Sequence, residues 1–470
     1  VNAGRIVAAA LALIALAGCM VGPDYQRPAI DLPGAFPGAG PADAASEMIQ
    51  SDWWRLFGDP VLDDLVDTAL AGNTDVEQAV ARIEEADANL RAVNSALFPQ
   101  VNLLGDSTRT AYSNRVALPA PAGTPSVRND LQLTLSSSFE IDFWGKLRRA
   151  TEAARAQALG TRYAREVVTL SIAALTAQTY FSLRSLDAQI ASTRATLRTR
   201  EETLTIVRRR AEAGLSSDLE LRQAEGARSD AAFQLNDFLR QRALGEHLLA
   251  TLTGKLDLAI PPGDLDELPL PALPPAGLPS ALLERRPDVR QAEQDLVSAN
   301  AQIGFAKAQL FPTITLTGDF GGESKALAGL FTIPGRIWTL GAGLSAPIFE
   351  GGKLLALVDA QRARQQESLA NYRKTIQTAF REVADALTNV RQFAVLENDA
   401  QASVDAARAA LRLANERYES GYTGFLDVLD SQRSVNLTEL ALIRTRQNLL
   451  SAGVDLMKAL GGGWEADRPG

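Results

Sequence analysis

The sequence predicts a mainly α-helical fold with a small membrane β-barrel contribution, built from a two-fold internal repeat. Three observations carry this. From about Gly145 to Ala213 there is no proline, and Gly160 is the only glycine between Gly145 and Gly214. Ala, Leu, Arg, Glu and Gln dominate the stretch, so it reads as one helix. Its apolar positions step by three and four through Leu183, Leu186, Ile190, Thr193, Leu197, Leu204, Val207 and Ala211, broken at Arg200. That is a coiled-coil seam, and roughly 65 residues rising 1.5 Å each reach about 100 Å. The second observation is a repeat. Leu97-Phe98-Pro99 recurs as Leu310-Phe311-Pro312, an offset of 213, while Gly145-Lys146 recurs as Gly352-Lys353 and Gly214 as Gly421, both offset by 207. The equal offsets at both ends predict two long helices of equal length, the signature of a repeat architecture. Third, short segments between these helices alternate polar and apolar residues, the period of a strand.

Composition bounds the rest. Among 470 residues, 22% are charged and 6% aromatic, which suits packed helices better than one large globular core. The net charge of −9 argues against a nucleic-acid partner. One cysteine and one histidine exclude an intrachain disulfide and a Cys/His zinc site. No metal cluster, phosphate-cradling loop or nucleophile with a base is visible, so neither a cofactor nor enzymatic activity is expected.

The elements follow in order. Residues 1–18 read as a signal peptide with Arg5 in the n-region and an apolar run from Ile6 to Ala17. It ends Leu16-Ala17-Gly18-Cys19, a lipobox, so Cys19 is the expected lipid attachment site and an outer-membrane-lipid anchor. The next residue is Met20, not the Asp associated with inner-membrane retention, which favours the outer membrane. Residues 19–51 read as a lipidated extended linker. The first repeat spans 52–256: Trp53 and Trp54, a helix capped by Asp59, a second helix capped by Thr74, a β-hairpin at 100–143 and a long helical hairpin at 146–253. A Pro-rich connector covers 257–279. The second repeat spans 280–462, with a β-hairpin at 313–349 and a long helical hairpin at 353–460, followed by a tail at 463–470.

Two strands per repeat make four. A sheet in lipid must close on itself, and known bacterial barrels have at least about eight strands. The chain therefore has to oligomerise to form a pore: two copies for eight strands, three for twelve.

Several stretches carry a family likeness: CMVGPDYQRP, WWRLFGDPVLDDLV, LERRPDVRQAE, AQIGFAKAQLFPTITLTG, PIFEGGK and RYESGYTGFLDVLDSQR. In their order and spacing the chain resembles the TolC/OprM/NodT type of outer membrane factor. The resemblance implies a homotrimer whose twelve-stranded β-barrel continues into a periplasmic α-helical barrel. It also implies a periplasmic adaptor and an inner-membrane pump of the RND type as partners, and the role of exit duct for small molecules in a tripartite efflux system. An exit duct for type I protein secretion and a non-conducting coiled-coil spacer lipoprotein are the alternatives.

By the same resemblance Asp427, Asp430 and Tyr418 correspond to a periplasmic gate. Spacing alone puts the two aspartates on one helix face, where acids in a first turn need no further reason. Gly214, Leu215, Ser216 and Gly421, Tyr422, Thr423 correspond to tips that meet the adaptor, although Ala213 stands where the family has valine. The basic run Arg208, Arg209, Arg210 reads as a solvated face with at most a bridge to an acidic neighbour.

Overall fold

The computed structural model describes residues 20–37, 50–113, 115, 123, 125–271 and 281–464. The signal peptide, Cys19, part of the 19–51 linker, most of the loop between the first two strands, residues 272–280 and the tail from 465 lie outside the described residues. Those described divide into two compact units. One comprises the described part of Val1–Ala29 with Ile83–Thr161 and Ala292–Tyr372; the other comprises Ile30–Arg82, Arg162–Gln291 and Arg373–Gly470 as far as described.

In chain order the elements are α1 (Pro60–Gly72), α2 (Thr74–Ser95), β1 (Gln100–Ala111), β2 (Val127–Ile141), α3 (Lys146–Glu212) and α4 (Asp218–Thr253). The second half has α5 (Leu282–Arg285), α6 (Pro287–Ala308), β3 (Thr313–Ser324), β4 (Arg336–Ser345), α7 (Lys353–Glu419) and α8 (Phe425–Ala459). Helices α3 and α7 are both 67 residues long, so the equal sequence offset is an equal helix length. Both end in the same way. Gly214 and Gly421 take φ of 71° and 77°, the left-handed region where a Cβ is unwelcome. The two hydrogen bonds of a Schellman cap follow: Leu215 N–H to Arg210 O and Gly214 N–H to Ala211 O, then Tyr422 N–H to Arg417 O and Gly421 N–H to Tyr418 O.

The first unit holds one antiparallel sheet in the order β1-β2-β3-β4. The strands are 12, 15, 12 and 10 residues long, which meets the roughly 9–11 residues a tilted strand needs to cross lipid. The register aligns Leu103, Leu135, Phe320 and Trp338 across all four strands. Directly opposed residues share a face, so Leu133, Phe139, Ile314, Leu316, Leu340 and Leu344 join the same apolar side. The other side carries Asn102, Gln132, Ser136, Thr315, Thr317, Asp319 and Thr339. Trp338 and Leu340 are 68% and 79% exposed, so the apolar side is uncovered in the single chain.

The strand-to-helix corner is held by specific bonds. Asp142 accepts from the backbone N–H groups of Leu147 and Arg148 at 3.0 and 2.9 Å, capping α3. Trp144 stacks on Phe311 with ring centroids 4.7 Å apart and donates its indole N–H to Pro312 O at 2.8 Å. The repeated Leu-Phe-Pro turn is thus one half of a lock whose other half is Trp144.

The N-terminal segment lacks regular structure, yet it is pinned. Val21 N–H bonds Trp144 O at 3.0 Å. Gly22, at φ 109°, packs on the Gly304 backbone so closely that a Cβ there would fall 2.4 Å from Gly304 Cα, and a Cβ on Gly304 would meet the Arg149 side chain at 2.8 Å. Asp24 pairs with the buried Arg149 at 2.7 Å, and Arg27 and Tyr25 both bond Glu293. Reading 19–51 as an extended linker with little structure of its own did not anticipate the partners of residues 21–27, which sit more than 100 positions away.

The second unit is helical. Trp53, Trp54, Phe57, Leu62, Val66, Tyr180, Phe181, Leu249, Leu450 and Met457 belong to its main core. Asp59 caps α1 through Val61 N–H at 2.8 Å, and its other oxygen accepts from Tyr180 O–H. The cap of α2 is Asn73, not Thr74: its Oδ1 accepts from Asp75 N–H at 2.8 Å while its Nδ2 donates to Leu252 O at 2.9 Å. A side-chain amide serves both ends at once, which the threonine hydroxyl one residue later is not placed to do. Arg286, of the Arg-Arg-Pro-Asp stretch, is buried and donates to Asp288, Glu382 and Ala459 O.

Candidate functional site

The hairpin tips belong to the second unit. Val207 of α3, Ala224 and Ala227 of α4 and Phe425, Val428 and Leu429 of α8 form a small buried core there. Leu204, Leu221, Leu411, Ala414 and Tyr418 pack against it. The sequence sets this up locally. Ser217 and Glu220 make a capping box that starts α4 directly after the first tip. At the second tip Gly424 starts α8 without a side-chain cap, and Thr423 donates its hydroxyl to Asp427 instead.

Asp427 and Asp430 are both exposed in the first turns of α8, on the face opposite Phe425, Val428 and Leu429. The apolar side of the helix anchors it to the tip core, and the two carboxylates are left in solvent. Tyr418 lies near the end of α7, its ring 5.8 Å from Phe425. Its hydroxyl accepts from Arg210 Nη1 at 3.3 Å, and the guanidinium lies 5.4 Å from the ring centroid. Arg210 therefore ties the first hairpin to the second. Reading the basic run as a solvated face overlooked this tie, because nothing local marks a contact across 208 positions. Arg208 of the same run makes the acidic bridge allowed for it, to Glu225 at 3.6 Å.

Leu215 and Tyr422 are 71% and 80% exposed at the two turns. Leu219 and Leu426, one turn further on, are also exposed. They extend the apolar surface of each tip beyond the residues picked from sequence. Ser216 points its hydroxyl inward without a partner among the described residues. No helix among the described residues is long and apolar enough to cross a membrane. The sheet of the first unit is the amphipathic surface, with both outer edges, β1 and β4, unpaired within the chain.

The chain matches the family model described as outer membrane efflux protein over residues 65–255 and 278–462. It belongs to the outer membrane efflux protein family. It is similar to the toluene efflux pump outer membrane protein TtgF of Pseudomonas putida, 36% identical over 463 residues, covering 96% of this chain and 95% of the relative. It is equally similar to the outer membrane protein OprJ of Pseudomonas aeruginosa, 36% identical over 470 residues, covering 98% and 96%. Among solved structures it resembles a membrane protein from Pseudomonas aeruginosa with TM-score 0.86 and 34% identity, covering 96% of this chain and 99% of that one. It also resembles the open state of the MtrE channel of Neisseria gonorrhoeae with TM-score 0.84 and 31% identity, covering 95% and 98%. The fold class is that of the trimeric outer membrane factors, mainly α-helical with a small β-barrel share from each chain. This family member is an outer-membrane efflux channel rather than an enzyme.

Proposed function

We propose that three copies of this chain form the exit duct of a tripartite efflux system that carries small toxic or antibiotic compounds to the exterior. The observation that carries the reading is the four-stranded sheet. One face is apolar and uncovered, the other is polar, and both edges are unpaired. Such a sheet is stable in lipid only when copies close it, with the apolar face outward and the polar face lining water. Relatives named for toluene and antibiotic efflux support the small-molecule cargo. A periplasmic adaptor docks on the exposed tips around Leu215, Ser216, Tyr422 and Thr423, next to Gly214 and Gly421. An RND-type inner-membrane pump supplies the cargo. Cys19 carries acyl chains that anchor the chain in the outer membrane.

Asp427 and Asp430 form the periplasmic gate, with Tyr418 bracing it from α7. Three chains bring six carboxylates around one axis, where mutual repulsion and cation binding compete. The test is planar-bilayer recording of the purified protein alongside its oligomeric mass. A trimer with cation-selective channels supports the duct. Asp427→Ala with Asp430→Ala lowers the preference for cations. Unchanged conductance and selectivity in that variant would remove both residues from the gate.

A further inference from the structure

The internal repeat is obeyed by the sheet register as well as by the helices. Adding 213 to a β1 residue and 207 to its β2 partner converts one hairpin into the other. Gln100↔Ser138 becomes Thr313↔Ser345, and Arg109↔Asn129 becomes Gly322↔Arg336, both of which are observed pairs. The remaining observed ladder, β2 with β3, has no counterpart inside the chain. Its counterpart joins β4 to a β1, and the only β1 in the chain lies at the opposite edge of the sheet.

Barrel closure sets β4 of one copy against β1 of the next, and the geometry points to the register of that seam: the one that the repeat transfers from β2–β3. Ser138↔Thr317 becomes Ser345 opposite Leu104 of the neighbouring copy. Leu131↔Ser324 becomes Trp338 opposite Ala111, and Ser137↔Gly318 becomes Leu344 opposite Gly105. This rests on the pore reading above and adds to it which residues meet.

Two further observations agree with this register. The first is facial. Every transferred pair joins residues of the same face, so the apolar side continues across the seam. A shift of one residue would turn the apolar side of β1 into the lumen. Trp338 and Leu344 then stand beside the small Ala111 and Gly105, while Leu340 stands beside Arg109. The second lies at the corner. Within the chain Trp144 covers Phe311. The repeat counterpart of Phe311 is Phe98, which is 62% exposed, and that of Trp144 is Gly351. Gly351 and Gly352 both have positive φ, and a Cβ added to either would meet nothing within 4 Å. The glycine pair leaves open the space that an indole fills at the corner within the chain, and Phe98 of the next copy fits there.

Disulfide trapping tests the register. Opposed residues hold their Cβ atoms about 4.5–5.5 Å apart and diagonal ones about 7–8 Å, while a disulfide needs about 3.5–4.5 Å. Ser345→Cys is combined in one full-length chain with Leu104→Cys, Asn102→Cys or Asp106→Cys, and each is oxidised in membranes. Ser138→Cys with Thr317→Cys is the control, closing within a chain and producing no ladder. The expected result is a covalent ladder ending at the trimer for the Leu104 variant, formed at least about tenfold faster than with Asn102 or Asp106. Faster trapping at Asn102 or Asp106 overturns the register, as does failure of all three in a protein of trimeric mass whose control pair closes. A protein that is not trimeric overturns the pore reading, and this inference with it.

Discussion

Arg210 and Tyr418 tie the two hairpins together at the tips. Arg210→Ala removes the guanidinium from the ring, 5.4 Å from its centroid, and the 3.3 Å hydrogen bond to the hydroxyl. At an exposed site a cation–π contact is worth about 0.5–1 kcal/mol. The long, solvated hydrogen bond belongs at the bottom of its range, about 0.5 kcal/mol. The two together come to about 1 kcal/mol, a factor of about five in an equilibrium. Tyr418 keeps its packing on Phe425, so the tip core survives the change. The tie joins the two hairpins of one chain, so movement of one away from the other breaks it. The expected outcome is an open probability about fivefold higher in planar-bilayer recordings, with single-channel conductance unchanged. Tyr418→Phe keeps the ring under the guanidinium and loses only the hydroxyl, so its effect is the smaller one. An Arg210→Ala channel that opens no more often than the parent would mean that this tie does not hold the tip. So would a Tyr418→Phe effect larger than that of Arg210→Ala.

Arg286→Ala leaves Ala459 O without its donor and strips Asp288 and Glu382 of a shared cation; the helical circular-dichroism signal in detergent melts earlier, by an amount matching about 2–3 kcal/mol. Burial, then the hydrogen bond to Asp59, pushes the Tyr180 phenol above its ordinary 10.0. The unfolded chain therefore releases that proton first, stability falls as pH rises above about 10, and Tyr180→Phe shows a flatter alkaline limb in thermal melts. At Gly214, φ 71° makes any Cβ costly. Gly214→Trp is expected to abolish cross-linking to the adaptor and efflux while leaving trimer mass intact, and retained cross-linking would move the docking surface away from the first tip.

Much of the fold was legible because its signals are local. The glycines that end α3 and α7 sit within one turn of the carbonyls they release, and the Leu-Phe-Pro turns act on their own backbone. Alternation along β2 and β3 reports which side chains share a face, because the strand period is two. The aspartates of α8 were legible as a pair but not as a gate, since three-residue spacing places two acids on one face of any helix. The family likeness supplied that role.

The repeat, the equal length of the two long helices, the four strands and the need for more than one copy could all be read from the sequence. These follow from periodicity, punctuation and the impossibility of an open sheet edge in lipid. The partners far along the chain came from the tertiary structure: Arg210 with Tyr418, Asp24 with Arg149, Tyr25 and Arg27 with Glu293, Asn73 with Leu252, and the sheet register. Each depends on where two distant backbones are brought together. A side chain's own sequence neighbours carry its helical or strand period but not the position of a group 100 or 200 residues away.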